Sequence, residues 1–325
     1  MFRIFVLAAL TVSVGLAGFT ISQTGRIARA FPPRGQFVEI DNARMHYTER
    51  KPDRQARATV LLLHGASGNQ ADMMVPLGDR LAAEGFGVLA FDRPGHGWSQ
   101  RPGGRADASP AVQAALIRRA VEMLGVDKVL LVAHSLAGVV ATNLAIEHQS
   151  FVSGLVLVAP VTHPWPGGIE AYYTVAATRV IGQLFTRLLV MPMALLRFES
   201  GLEFVFKPNV PPTDYLQKTG AQLVLRPSSF MANAQDVAGL HAFVEKQAPR
   251  LPEIKTPTAI VTGDSDTIVL THIHSYGSAK EIPGATLKVL PNVGHSVHWA
   301  EPQAVVDAVL EVAGRGAQAT EVGAR

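Results

Sequence analysis

Cysteine is absent from the 325 residues of this chain. The absence excludes disulfide bonds, thiolate metal sites and a cysteine nucleophile. It leaves the cellular compartment open, because a chain without cysteine suits oxidising and reducing surroundings equally well.

Charge is also scarce. Charged residues make up 17% of the chain and the formal net charge is only +3, whereas hydrophobic residues make up 48%. This composition predicts a folded chain with a large core rather than global disorder. No basic stripe is interleaved with aromatic residues, so nucleic acid is not expected as a partner. No group of His, Asp and Glu has the spacing of metal ligands, so we expect neither a metal nor a cofactor.

The longest uncharged run lies at the N-terminus, where residues 4–21 read IFVLAALTVSVGLAGFTI. A helix of that length spans about 27 Å, close to the hydrocarbon thickness of a bilayer, whereas the apolar region of a signal peptide has only about 7–15 residues. We therefore predict that residues 1–30 are a membrane anchor with one transmembrane segment. Ala28-Arg29-Ala30 also fits a signal-cleavage site, so a secreted or periplasmic protein is the alternative. Arginines lie on both sides of the segment, which leaves its orientation open.

Beyond residue 30, strand patterns alternate with helix patterns. The strand patterns are Gln36–Ile40, Arg44–Tyr47, Thr59–Leu63, Val88–Phe91, Val129–Val132 and Leu155–Ala159, with a turn at Asp41-Asn42. The helix patterns between them are Ala71–Glu84, Pro110–Leu124 and Leu136–His148. Continuous apolar strands separated by helices are typical of a mostly parallel sheet that is covered on both faces. The sequence therefore predicts an α/β fold.

The alternation stops after Pro160 and resumes further along the chain. The later patterns are a strand at Thr258–Thr262, a helix around Ile268–Ile282, a strand at Thr286–Leu290 and a helix at Pro302–Val312. We predict that residues 161–252 form a helical lid inserted between two strands of the sheet. Residues 31–160 and 253–325 then form the core domain.

A candidate nucleophile lies where one strand gives way to a helix, in Ala133-His134-Ser135-Leu136-Ala137. A serine nucleophile of this kind needs a tight turn, in which the positions two before and two after the serine are very small, usually glycine. Here both are alanine, the next smallest residue, so the turn remains feasible. A serine that only caps the helix is the alternative. We predict that Ser135 is the nucleophile.

The loop after the strand TVLLL supplies candidate donors for an oxyanion hole. It begins with His64-Gly65-Ala66, and a strand that ends in this way presents backbone N–H groups beside the tight turn at Ser135, which we call the elbow. We expect the N–H groups of Ala66 and Leu136 to bind the developing oxyanion. His64 is predicted to brace the loop rather than to transfer protons.

Two pairs of residues compete for the remaining roles. Asp266 is favoured as the acid over Asp264, because it lies three residues past a glycine and precedes the next helix pattern. His295 is favoured as the base over His298, because a glycine precedes it and frees the backbone to aim the ring. The chain order Ser135, Asp266, His295 is the order expected when a serine triad is built on such a sheet.

Together these motifs resemble the α/β-hydrolase fold family, in particular its lid-bearing branch with a serine nucleophile, which includes esterases, C–C hydrolases and cofactor-free haloperoxidases. The matching residues are His64-Gly65, Asp92-Arg93-Pro94-Gly95-His96-Gly97, the Ser135 elbow, Gly263-x-x-Asp266 and Gly294-His295. The resemblance covers about residues 36–312 and is weakest in the lid. Haloalkane dehalogenases and most epoxide hydrolases of this family have aspartate at the elbow, so serine argues against both activities.

The resemblance implies an enzyme that hydrolyses a carboxylic ester, or a related apolar acyl substrate, through an acyl-enzyme on Ser135. A C–C bond hydrolase that uses the same triad is one alternative. A hydrolase fold that binds without catalysis is the other, and the intact triad argues against it.

Residues 180–206, VIGQLFTRLLVMPMALLRFESGLEFVF, form the most apolar part of the lid. A helix that is apolar nearly all round has to bury itself against the core, a hydrophobic ligand or a bilayer surface. We predict that Leu188 and Leu195 line a pocket for an apolar acyl group. Trp165, which opens the insertion, is predicted near the mouth of that pocket.

Overall fold

The computed structural model describes residues 1–40 and 43–323. The turn predicted at Asp41-Asn42 lies outside the described residues. Within them, eight strands form a single sheet in the spatial order β1-β2-β4-β3-β5-β6-β7-β8. The strands are β1 Gln36–Ile40, β2 Ala43–Arg50, β3 Thr59–Leu63, β4 Gly87–Phe91, β5 Val129–His134, β6 Val152–Val158, β7 Thr258–Gly263 and β8 Thr286–Leu290.

Only β2 runs against the other strands of this sheet. It pairs antiparallel with β1 and with β4, whereas every other pair of neighbouring strands is parallel. The carboxyl ends of the parallel strands therefore meet along one edge, and the loops that follow them converge there. The mostly parallel sheet predicted from the sequence is confirmed.

Twelve α-helices accompany the sheet in the described ranges. They are α1 Phe2–Ala30, α2 Gln70–Ala83, α3 Pro110–Met123, α4 Ala137–Glu147, α5 Ala171–Ala176, α6 Ile181–Phe185, α7 Met191–Phe206, α8 Tyr215–Thr219, α9 Pro227–Gln247, α10 His274–Glu281, α11 Val297–Ala300 and α12 Pro302–Gly323. Among the helices around the sheet, α10 is shorter and α12 is longer than the sequence predicted. The residues before α10 form turns because the carboxylate of Asp266 binds their backbone N–H groups.

Side chains of β3 show how the sheet is covered on both faces. Leu61 and Leu63 belong to the apolar cluster that includes α3 and α4, whereas Val60 and Leu62 belong to the cluster that includes α2 and α12. Successive residues of a strand point to opposite faces, so a continuous apolar run is what a strand between two helical layers requires.

The residues between β6 and β7 contain helices α5 to α9, and we call this segment the insertion. The sequence suggested one helix over residues 180–206, but the structure divides this stretch. A π-helical turn, Thr186–Val190, separates α6 from α7, and Pro192 lies in the first turn of α7. Proline has no N–H to donate to the preceding turn, so the chain widens there instead of continuing as a regular α-helix.

Helix α1 is 29 residues long and its most apolar window has a mean hydropathy of 2.3, with only 6% of that window buried. By length and composition it is the one described helix that could cross a membrane. Its last turns pack on the insertion, where the buried side chain of Ile27 meets Met191, Leu223 and Leu225. The N-terminal helix is thus joined to the insertion rather than to the sheet.

Candidate active site

The turn between β5 and α4 presents Ser135 at the carboxyl edge of the sheet. Ser135 has a φ of +54°, in the left-handed region, where a non-glycine residue costs of order 1 kcal/mol or more. Its N–H donates to Val158 O on β6 at 3.0 Å, and this bond helps to hold the conformation. Ala133 and Ala137 are fully buried on either side, so side chains larger than methyl would not fit the turn.

A continuous chain of hydrogen bonds links three side chains at this edge. His295 Nε2 lies 2.9 Å from Ser135 Oγ, and His295 Nδ1 lies 2.8 Å from Asp266 Oδ2. The other carboxylate oxygen, Oδ1, accepts the N–H groups of Ile268 and Val269 at 2.8 and 2.9 Å. Because the carboxylate only accepts, Nδ1 carries the imidazole proton and Nε2 is free to accept the serine hydroxyl.

The two competing residues have other partners. Asp264 is exposed, and its Oδ1 accepts the Ser265 hydroxyl and the Asn292 N–H, both at 2.8 Å. His298 is buried, and its Nε2 lies 3.2 Å from Asp72 Oδ2. The structure thus brings together the two residues that the sequence favoured, Asp266 and His295, and leaves both competitors out of the chain of hydrogen bonds.

The two residues predicted to form the oxyanion hole lie beside the serine. Leu136 follows Ser135 directly, and Gly65, which precedes Ala66, lies so close that a Cβ on it would be 2.8 Å from Ser135 Cβ. In the described part of the chain, neither the N–H of Ala66 nor that of Leu136 has a hydrogen-bond partner. Two donors are therefore available to an oxygen placed over the serine.

His64 is buried beneath this loop and both of its ring nitrogens are occupied. Nε2 accepts the Arg93 N–H at 3.0 Å, so Nδ1 carries the proton and donates to Gly65 O at 2.8 Å. Burial, together with the charge of Arg93, lowers the pKa of His64 well below its usual value. A neutral imidazole that makes a hydrogen bond through each ring nitrogen holds the loop in place, which agrees with the bracing role predicted for His64.

A second buried cluster lies near the turn at Ser135, and the sequence did not predict that its members come together. Asp72, His134 and His298 could each offer a metal ion one ligand atom, and these atoms lie within 4.8 Å of one another. In the structure the same groups bond to protein, since His298 contacts Asp72 and His134 Nε2 donates to His295 O at 3.1 Å. Burial alone would raise the pKa of Asp72, but His298 and the Trp299 N–H lower it overall. The cluster therefore contacts the backbone of His295 through His134.

The three predicted pocket residues lie in different parts of the insertion. Trp165 donates its ring N–H to Gly168 O at 3.0 Å and packs edge-on against His241. Leu188 is half-buried in the π-helical turn, and Leu195 packs in the apolar cluster that contains Ile27 of α1. Their role in substrate binding stays a prediction.

The comparisons with known proteins define the class of this chain. Residues 58–302 match the family described as alpha/beta hydrolase fold, and the chain belongs to that family. It is an α/β-hydrolase, and its relatives include a proline iminopeptidase and a dienoate hydrolase.

One curated relative is a 2-hydroxy-6-oxo-6-phenylhexa-2,4-dienoate hydrolase of Burkholderia cepacia, with 26% identity over 85% of this chain and 93% of the relative. Among solved structures, an enol-lactonase from Burkholderia xenovorans LB400 has a TM-score of 0.68 and 18% identity, covering 85% of this chain and 99% of its own. A membrane phospholipase A has a TM-score of 0.62 and 21% identity, covering 95% and 99%. At these identities the two structures show a shared fold.

Proposed function

We propose that this α/β-hydrolase cleaves a carboxylic ester through an acyl-enzyme on Ser135. The observation that carries the proposal is the continuous hydrogen-bonded chain from Asp266 through His295 to Ser135. The unoccupied N–H groups of Ala66 and Leu136 beside the serine support it. A nucleophile, a base, an orienting carboxylate and oxyanion donors are the parts that acyl transfer needs.

In this mechanism the Ser135 hydroxyl passes its proton to His295 Nε2 while Oγ bonds to the acyl carbon. The carbonyl oxygen takes up the displaced electron pair and is stabilised by the N–H groups of Ala66 and Leu136. The intermediate then expels the alcohol, which receives the proton from His295. Water, activated by the same imidazole, repeats the sequence and releases the acid, while Asp266 stabilises the imidazolium in both halves.

The proposed substrate is an apolar acyl ester that enters the active site from a membrane. In this proposal the insertion acts as a lid over the active site. Several large apolar side chains of the insertion are exposed, among them Val180, Ile181, Leu184, Met193 and Leu196. Apolar surface of this kind, next to an apolar helix long enough to span a bilayer, suits an interfacial position.

The same contacts favour a retained anchor over a cleaved signal. Ile27 covers Met191, Leu223 and Leu225, each at most 5% exposed in the presence of α1. Cleavage after Ala30 would uncover all three to water, which is unfavourable at about 25 cal/mol per Å² of apolar surface. We therefore propose that α1 remains attached as the membrane anchor.

C–C bond hydrolysis is the second candidate. One relative, which matches most of this chain, is named as a hydrolase of a 2-hydroxy-6-oxo-6-phenylhexa-2,4-dienoate, and this compound has no ester or amide bond to hydrolyse. The same serine and imidazole would serve both reactions. Rates on aryl esters and on a vinylogous diketone, measured in parallel, distinguish them.

The proposal is tested on the full-length protein in detergent with a fluorophosphonate probe. The probe is expected to label Ser135, and Ser135→Ala is expected to lower ester turnover by about 10³-fold or more without changing the melting temperature. Labelling of another residue, or substantial turnover by the purified variant, would refute it.

Aryl acetate, butyrate, octanoate and laurate esters give the acyl preference. An apolar pocket should raise kcat/KM with each added methylene, and a steady fall from acetate onward would argue against it.

A further inference from the structure

Asn233 of α9 lies in the insertion but binds the loop that carries the predicted oxyanion donor. Its side chain is fully buried, and its Oδ1 accepts the N–H of Ser67 at 2.7 Å across 166 residues of sequence. Its Nδ2 donates to Ser67 Oγ at 3.1 Å. Ser67 has a φ of +58°, so this amide holds a residue of the loop in a conformation that the residue alone disfavours.

Asp236 lies one turn further along α9 and binds Arg93. Arg93 is fully buried, and its Nη1 lies 2.8 Å from Asp236 Oδ2. The same guanidinium donates from Nε to His64 O at 3.0 Å and from Nη2 to Gly65 O at 3.1 Å. A buried cation without its carboxylate would be strongly destabilising, so Asp236 is needed for Arg93 to remain at these carbonyls.

The carbonyl of Gly65 and the N–H of Ala66 belong to one planar peptide group. A cation that binds the carbonyl fixes the plane of that peptide and, by polarising it, makes the N–H a stronger donor. The following N–H, that of Ser67, is fixed by Asn233. The peptide that carries the Ala66 N–H is therefore held on both sides by groups that α9 supplies or supports.

We infer that helix α9 of the insertion positions the oxyanion hole, with Asn233 and Asp236 as positioning residues. This inference rests on the proposed serine mechanism. It makes the insertion a working part of the active site in addition to a cover over it. A loop displaced by about 1 Å can lower the rate of a reaction by about 10²-fold, so the contribution is measurable.

The test compares Asn233→Leu with Asn143→Leu in the full-length protein. Asn143 is the matched control because it is also buried, and its Nδ2 donates to Gln247 at the far end of α9 at 3.1 Å. Asn233→Leu is expected to lower kcat about 10- to 100-fold with KM nearly unchanged, since the donor acts mainly in the transition state. Asn143→Leu is expected to lower the melting temperature while leaving kcat within about twofold.

A trifluoromethyl ketone supplies a readout that a purely structural role would not change. Ser135 Oγ adds to its carbonyl carbon, the serine proton passes to His295, and the ketone oxygen takes the oxyanion position. Its inhibition constant should rise in Asn233→Leu by the same factor as kcat falls, and Asn233→Asp, which still accepts the Ser67 N–H, should restore most of both.

Two results would overturn the inference. One is a folded Asn233→Leu with wild-type kcat and inhibition, and the other is an equal loss in the two leucine variants. If Asn233→Leu does not fold, Asn233→Ala is measured in its place, with the same loss expected. Fluorophosphonate labelling of Ser135 in the wild type is recorded first. A wild type that is not labelled refutes the serine mechanism, whereas a labelled wild type with an unaffected Asn233 variant refutes only the positioning role.

Discussion

Two parts of the insertion contact the rest of the chain in opposite ways. Helix α9 reaches the active-site loop through buried polar groups, as in the ion pair of Arg93 with Asp236 and the bond of Asn233 to Ser67. The segment from α6 to α7 meets α1 through apolar side chains such as Ile27 and Met191, and leaves others such as Leu196 exposed. One part is fixed by directional bonds and the other by apolar surface.

This difference separates precision from adaptability. Hydrogen bonds and ion pairs depend on distance and angle, so they can set the orientation of a single peptide. Apolar contact depends mainly on area, so it tolerates sliding and can exchange protein for lipid. On this reasoning, changes in the polar part should affect chemistry, and changes in the apolar part should affect anchoring and the supply of substrate.

The largest effects are expected among the polar groups nearest the nucleophile. Asp266→Asn and His295→Gln should each lower kcat by about 10³- to 10⁴-fold, because the first leaves the imidazole in the wrong tautomer and the second removes the base. Asp264→Asn and His298→Gln are the matched controls and should retain most of their turnover. Kinetics on one aryl ester at constant pH provide the measurement. A dead Asp264→Asn with an active Asp266→Asn would reverse the assignment of the acid.

The next largest effect is expected from acidification, which should lower the free energy of unfolding through the buried histidines of the polar part. Burial is the main cause that lowers the pKa values of His64, His96 and His134 well below 6.5, with nearby positive charge as a further cause. These rings are neutral in the folded protein, whereas the unfolded chain takes up their protons below about pH 6.5. Stability is therefore full above that pH and falls below it, by a slope that approaches about 1.4 kcal/mol per pH unit for each histidine.

Denaturant midpoints at pH 7.5, 6.5 and 5.5 measure this slope. His96→Gln should reduce it by the share of one histidine. A free energy of unfolding that stays constant from pH 7.5 to pH 5.5 would contradict the prediction of neutral buried rings.

The contact between α1 and the insertion is tested within a single helix. Ile27→Ala should lower the free energy of unfolding by about 2–4 kcal/mol, because Ile27 is 5% exposed, whereas Ile21→Ala should change it by less than about 0.5 kcal/mol, because Ile21 is 74% exposed. Both variants are measured in one detergent, and kcat should stay near the wild-type value. Equal losses would mean that the packing does not stabilise the protein. A mature N-terminus at Phe31 would show that the segment is cleaved.

The core of the fold could be read from the sequence because its signals are local. β3 and β8 have the predicted bounds, since each is a short run of apolar or alternating residues closed by turn residues. The same logic favoured Asp266 and His295, as each follows a strand that ends at one edge of the sheet, and the structure places their side chains 2.8 Å apart. Tight-turn and edge-of-sheet chemistry depends on neighbours in sequence, which a single chain displays.

The contributions of the insertion could not be read in that way. Asn233 and Asp236 carry no motif, and their partners lie more than a hundred residues earlier in the chain. Leu195 was predicted to line an acyl pocket from its apolar surroundings in sequence; the structure packs it near Ile27 of α1, and its role in substrate binding stays a prediction. A run that is apolar on every side does not say which face meets protein, lipid or substrate, and only the three-dimensional arrangement separates them.

The smallest effect is expected at the exposed apolar face, and it depends on how substrate is presented. Leu196 is 87% exposed on α7, and Met123, on α3 of the core, is 60% exposed. If the insertion lies on a bilayer, Leu196→Asp should place a charge against lipid and reduce hydrolysis of an octanoate ester carried in phosphatidylethanolamine–phosphatidylglycerol vesicles by about three- to tenfold. Hydrolysis of a water-soluble butyrate ester should be unchanged, because the substitution lies outside the chain from Asp266 to Ser135. Met123→Asp, in full-length protein reconstituted in the same vesicles, should affect neither substrate. Equal losses on both esters would indicate damage to the packing of α7, and no loss on either would place the exposed face away from the membrane.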